Sequence, residues 1–164
     1  MFSFLKKKGN DQIVIAAPME GKAVSLKEVN DPTFSEGLLG KGIAIIPSSG
    51  KVVAPVDGTV ELVFDTKHAV SMTSADGAEV LIHVGLDTVN LKGDGYEAHV
   101  AAGDSVKKGD LLLTVDLDKI KAAGYDTITP IIICNTDDYA DVAEAGAGAG
   151  DIEAGADAIY ITKK

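Results

Sequence analysis

Three histidines, His68, His83 and His99, are the residues of this chain best placed for chemistry near neutral pH. Imidazole is the side chain whose ordinary pKa, about 6.5, lies in that range. His83 sits in Val80-Leu81-Ile82-His83-Val84-Gly85-Leu86, a run with strand character. Strand alternation puts it on the face of Leu81 and Gly85, opposite Ile82 and Val84. His68 lies in Thr66-Lys67-His68-Ala69-Val70. Between the two comes Thr73-Ser74-Ala75-Asp76-Gly77-Ala78, a string of hairpin-turn residues. A hairpin centred between residues 75 and 76 makes His68 and His83 direct cross-strand partners, about 4.5–5.5 Å apart. His99, in Glu97-Ala98-His99-Val100, has no such neighbour and reads as a surface residue.

Two juxtaposed imidazoles suit nucleophilic phosphoryl chemistry. A neutral ring nitrogen can attack phosphorus and hold the group covalently. The second imidazole can donate to the phosphoryl oxygens, and Thr66, two residues before His68, can orient that second ring. The plainer alternative for each is a half-buried, hydrogen-bonded histidine. Catalytic zinc needs three protein ligands and an open position. The chain has no His-x-His, no HExxH and no cysteine cluster, and Asp87 is the only nearby third ligand. No metal is required, although the two histidines could take up zinc adventitiously or with a partner's ligand. No cofactor is expected, and without a GxxxxGK[ST] loop nucleotide use is not indicated either.

The elements that must position these residues are short. Apolar runs at 13–15, 43–46, 51–53, 59–64, 69–72, 79–84, 111–115, 131–134 and 158–161 are separated by Gly, Pro, Asp and Ser. That pattern predicts an all-β fold, an antiparallel sandwich or barrel-sandwich. One short helix is predicted over 116–123, with Asp116 as N-cap and Gly124 as stop, and a second over 139–145. Ala17-Pro18-Met19-Glu20-Gly21 is echoed 37 residues later by Ala54-Pro55-Val56-Asp57-Gly58, which predicts two related β motifs in one sandwich. Residues 143–156 are rich in Ala and Gly and read as a mobile surface connection. Residues 1–11 read as a flexible segment. Phe2, Phe4 and Leu5 ahead of three lysines give it at most weak amphipathic contact with a membrane surface. Residues 12–164 form the single domain.

Composition narrows the function classes. The 164 residues suit one domain. With 15 Lys+Arg against 25 Asp+Glu the net charge is −10, which argues against a general nucleic-acid binder. No apolar run approaches the ~20 residues of a membrane span. The lone Cys134 cannot form an internal disulfide, which fits a reducing cytoplasm. Between a stand-alone protein and a piece of a longer permease, the lysine-rich start and the Lys163-Lys164 end favour the first without deciding it.

The string from Gly77 to Tyr96, with its His83-Val84-Gly85-Leu86-Asp87-Thr88-Val89 core, resembles the phosphorylation-site signature of glucose-class enzyme IIA. That family serves the bacterial phosphoenolpyruvate-dependent sugar phosphotransferase system. Ala17-Pro18-Met19-Glu20-Gly21, Asp31-Pro32-Thr33-Phe34, Leu38-Leu39-Gly40-Lys41-Gly42, Thr66-Lys67-His68-Ala69 and Thr129-Pro130-Ile131-Ile132-Ile133-Cys134-Asn135 match in order, so the resemblance covers roughly residues 12–140. It implies a duplicated hybrid β-sandwich and a phosphocarrier. His83 would accept a phosphoryl group from the carrier protein HPr and pass it to a cysteine on the IIB domain of a glucose-type permease. It further implies that His68 steadies the group, Thr66 orients His68, and the Gly85 carbonyl holds the other nitrogen of His83. Asp31 and Asp87 would flank the site. Phe34, Leu38, Leu39, Ile45, Leu81 and Val89 would form the apolar docking rim. Regulatory targets such as permeases and kinases are a further role of the family. Two other classes compete. A biotinyl or lipoyl arm domain would need a lysine at a hairpin tip in a Met-Lys-Met or Asp-Lys-Ala setting, and a lysostaphin-like zinc hydrolase would need a His-x-His; the chain has neither.

Overall fold

Short β-branched runs punctuated by Gly and Pro favour many brief strands over long helices. A computed structural model describes residues 11–145 and 150–164, and among these it contains fourteen strands. In chain order they are β1 (Gln12–Ala16), β2 (Gly21–Ser25), β3 (Lys41–Pro47), β4 (Lys51–Val53), β5 (Gly58–Val63), β6 (Ala69–Ser74) and β7 (Glu79–His83). Then come β8 (Tyr96–Ala98), β9 (Ser105–Val106), β10 (Leu111–Val115), β11 (Thr129–Ile133), β12 (Tyr139–Glu144), β13 (Gly150–Ile152) and β14 (Asp157–Lys163). Two short helices, α1 (Pro32–Ser35) and α2 (Leu117–Ala122), interrupt them. All strand pairs are antiparallel. They form one eight-stranded sheet, ordered β13-β2-β3-β11-β7-β6-β5-β9, and two three-stranded sheets, β1-β14-β12 and β4-β10-β8.

Those orders are palindromic, and they realise the internal echo. β2, β3 and β11 mirror β5, β6 and β7 in the large sheet, while β1-β14-β12 mirrors β4-β10-β8. Hydrogen bonds cross reciprocally between the copies. Ala16 N–H donates to the Pro55 carbonyl at 2.9 Å and Val53 N–H to the Pro18 carbonyl at 2.8 Å. Gly21 and Gly58 occupy equivalent points for the same reason. A Cβ on Gly21 would lie 2.1 Å from the Ile46 carbonyl oxygen, and one on Gly58 2.1 Å from that of Thr73.

The core lies between the layers and is aliphatic, with Ile15, Ile43, Met72, Ile82, Leu113 and Ile159 all inaccessible or nearly so. Each such side chain contributes about 1.5–3 kcal/mol on burial. Val24, Leu26, Phe34, Leu86 and Ile132 form a second cluster, where segment 26–40 lies over the outer face of the large sheet.

Three expectations are corrected. The helix over 139–145 is strand β12, whose Val142 pairs with Ile161 of β14; cross-strand pairing and burial of Val142 override the helix propensity of Ala and Glu. The Ala/Gly-rich stretch contains strand β13 on the edge of β2. The turn after β13 repeats the one before β10. Gly155 N–H donates to the Ala17 carbonyl as Gly109 N–H does to that of Ala54, both at 2.9 Å. Ala17 N–H and Ala54 N–H donate to the Ala156 and Asp110 carbonyls, both at 2.7 Å. Small residues there fit a tight turn against the partner motif. Finally, Ile45 is not on the docking rim, because it points into the core of β3 and is 0% exposed. The helix at α2 matches its prediction, with Asp116 Oδ1 accepting from Lys119 N–H. Residues 1–10 and 146–149, which carry the N-terminal reading and part of the Ala/Gly one, lie outside the described residues.

Candidate functional site

His83 is the last residue of β7, and His68 stands one residue before β6. The register of the hairpin is Ala69 opposite His83 and Thr73 opposite Glu79. The two histidines are therefore not direct ladder partners, because the turn holds one more residue than the sequence expectation allowed. Ser74 Oγ accepts from Ala78 N–H within it, and Gly77 takes a positive φ of 96°. The rings still meet. A bend at Lys67 (φ 58°) precedes His68, whose carbonyl accepts from Val84 N–H at 2.7 Å. The ring centroids are 4.7 Å apart at 81°, edge to face.

Each ring is held from behind. Beyond β7 the chain turns at Gly85, φ 89°, and its carbonyl comes back to accept from His83 Nδ1 at 2.8 Å. Only glycine fits this turn, since a Cβ would stand 2.6 Å from Thr88 Cγ2 and 3.0 Å from the Asp126 carbonyl oxygen. Thr66 Oγ1 lies 2.6 Å from His68 Nδ1. Phe34 packs on His83 with centroids 5.0 Å apart, and Phe64 meets His68 at 5.4 Å. Phe34 comes from α1, which Asp31 caps through Thr33 N–H at 3.0 Å and Pro32 starts.

This packing sets the protonation state. Burial first, and then the neighbouring His83, lower the pKa of His68 to about 4. Burial also lowers His83; the Gly85 carbonyl, Asp31 and Asp87 oppose that shift without reversing it. Both rings are neutral at pH 7. A carbonyl can only accept, so the single ring proton of His83 is on Nδ1 and its Nε2 carries a lone pair. Among the described residues Nε2 of His83 makes no hydrogen bond. The pair can therefore present one nucleophilic nitrogen. No group of three or more His, Cys, Asp or Glu able to hold a metal occurs among the described residues.

His83 opens on a shallow cleft lined by Asp31, Thr33, Phe34, Leu39, Phe64, Leu81, Asp87 and Val89. Four of the six expected apolar rim residues, Phe34, Leu39, Leu81 and Val89, are thus brought together with the two flanking carboxylates. Leu38 is 73% exposed and lies beside this cleft, in a neighbouring groove with Leu39 and Cys134. Sequence reasoning missed Thr33 and Phe64. Thr33 follows from the Asp31 cap, whereas Phe64 reaches His68 only through the sheet register, because its N–H bonds the Ala69 carbonyl opposite His83. His99 is exposed, away from the cleft, with Nε2 2.7 Å from Thr114 Oγ1.

Comparison with known proteins agrees with this architecture. The family model for the phosphoenolpyruvate-dependent sugar phosphotransferase system, EIIA 1, matches residues 13–139. The glucose-specific EIIA component of Oceanobacillus iheyensis is 47% identical over 138 residues, 84% of this chain and 84% of that protein. The beta-glucoside-specific EIIBCA component of Bacillus subtilis is 54% identical over 126 residues, 77% of this chain but 21% of that longer protein. The solved glucose permease IIA from Mycoplasma capricolum superposes with a TM-score of 0.82 at 35% identity, covering 93% of this chain and 97% of the other. No helix among the described residues is long and apolar enough to cross a membrane. The chain belongs to the EIIA 1 family of the phosphoenolpyruvate-dependent sugar phosphotransferase system, as one of that system's phosphoryl-transferring components in sugar uptake.

Proposed function

We propose that His83 is the residue that carries the phosphoryl group, working in the cytoplasm between HPr and the IIB domain of a glucose-type permease. The observation that supports this most directly is the 2.8 Å bond from His83 Nδ1 to the Gly85 carbonyl, which leaves Nε2 as the nucleophile. Nε2 attacks phosphorus, the donor's N–P bond breaks, and its electron pair returns to the donor imidazole. The proton on Nδ1 stays on the ring, donated to the Gly85 carbonyl. The group adds about −1.5 to −2 charges, and His68, with Nδ1 turned to Thr66, offers Nε2–H to its oxygens. In the onward step a cysteine thiolate of IIB attacks phosphorus and the electron pair returns to His83.

A weakly held, exchangeable partner suits the shallow cleft. Leu39, Leu81 and Val89 supply apolar contact, while Asp31 and Asp87 face basic residues around a complementary patch. The test is incubation with phosphoenolpyruvate, enzyme I and HPr. The expected product is an acid-labile, base-stable adduct on His83. His83→Ala takes up no label, whereas His68→Gln accepts label and passes it to IIB slowly. Undiminished labelling of His83→Ala would sink the assignment.

A further inference from the structure

β7 ends at His83, so the carbonyl of buried Val84 has no strand partner. Two hydroxyls occupy it. Thr88 Oγ1 and Tyr96 Oη each donate to the Val84 oxygen at 2.8 Å. Both side chains are buried, Thr88 completely. Burial pushes the Tyr96 phenol up to about 12, so it remains a donor throughout the physiological range. One donor would suffice to spare a buried carbonyl its desolvation cost; this one has two. The N–H of the same peptide unit, from Gly85, donates to the Ile128 carbonyl at 3.2 Å. The next unit is held at both ends as well. The Gly85 carbonyl takes His83 Nδ1, and Leu86 N–H donates to the Asp126 carbonyl at 3.0 Å. Gly85 is the joint between the two planes and, lacking a Cβ, is the most freely rotating residue there. Fixing one plane on each side of it removes that freedom.

We propose that Tyr96 and Thr88 are positioning residues that clamp the Val84–Gly85 peptide, so that the Gly85 carbonyl stays on Nδ1 of His83 and Nε2 keeps its lone pair. Neither hydroxyl bonds the imidazole, so both act through the backbone. The role rests on His83 as the phosphoryl acceptor, but its first readout is independent of transfer. Nitrogen NMR of the labelled full chain reads which nitrogen of His83 is protonated. The wild type shows Nδ1–H; Tyr96→Phe and Thr88→Val each admit a share of Nε2–H, and Thr88→Ser restores the wild-type ratio. The rate constant for accepting phosphoryl from phospho-HPr falls about 3- to 10-fold in the first two variants, the worth of one hydrogen bond, with KM unchanged. The His68 signals stay where they are. If both variants melt earlier but keep the His83 tautomer, the clamp is merely structural and the proposal fails. It fails equally if the rate falls without a tautomer change. If the tautomer shifts as expected while His83 takes no phosphoryl group, the clamp stands and the acceptor assignment falls.

Discussion

The two halves of the large sheet put very different residues at the same place. Gly21 pairs with Pro47 in one half, and Gly58 with Ser74 in the other. Counting back five residues along β3 and β6 reaches Gly42, opposite Ile132, and Ala69, opposite His83. Ile132 and His83 are therefore equivalent positions. Ile132 is fully buried beneath the segment 26–40, which links β2 to β3. Its counterpart link, from β5 to β6, is only residues 64–68, and it supplies His68 and Thr66 instead of a cover. One copy of the repeated motif thus carries a cover over this position, and the other leaves it open to the cleft. The cover's Phe34 reaches across to pack on His83, so the covered half also desolvates the open half's chemistry.

Stability should break the comparison most sharply. Gly42→Ala would drive a Cβ to 1.8 Å from the Ile131 carbonyl oxygen, a backbone atom that cannot rotate aside. A loss of about 2–3 kcal/mol or more is expected by denaturant unfolding. The equivalent Ala69→Gly has room and costs about 0.5–1 kcal/mol.

Acidity comes next. Both imidazoles have folded pKa values below the unfolded value of about 6.5. The unfolded chain binds those protons first, so their contribution is fully present above about pH 6.5 and is lost as the pH falls towards 4. Melting curves across that window should show stability falling with acid. His68→Gln should flatten the slope, while substitutions at Ile132 leave its pH dependence intact. A wild-type stability with no decline between pH 6.5 and 4 would contradict the burial of His68.

The smallest effect is on docking. Asp31→Asn keeps the helix cap but removes a charge from the cleft, as does Asp87→Asn. Together they should slow transfer from phospho-HPr a few-fold at low salt, with the difference shrinking at physiological ionic strength. A transfer rate indifferent to both substitutions at low salt would remove the acidic rim from the docking argument.

Much of the site was legible because its residues are close in sequence. Thr66 and His68 are two apart, and short-range spacing survives a wrong register; the role of Gly85, two beyond His83, comes from the resemblance. The resemblance alone puts Ile45 on the rim; an apolar residue in a β run has two faces to choose from, and only pairing decides which is inward. The segment 139–144 reads as a helix because Ala and Glu favour helix locally, while its reason to be a strand, β14, lies some twenty residues further on. Residues 150–156 hid a repeat of the motif at 104–110, because small residues carry little hydrophobic pattern to compare.

The sequence by itself determined the chemistry: two histidines in a specific signature, an acidic chain without a metal-ligand motif, and a duplicated Ala-Pro-x-acid-Gly turn that requires glycine where strands cross closely. Only the tertiary structure decided which of two equivalent strand ends would be open, how the histidine rings meet at 4.7 Å, and that both stay neutral. The physical reason is that register, burial and desolvation are set by partners dozens of residues away, and no local pattern contains them.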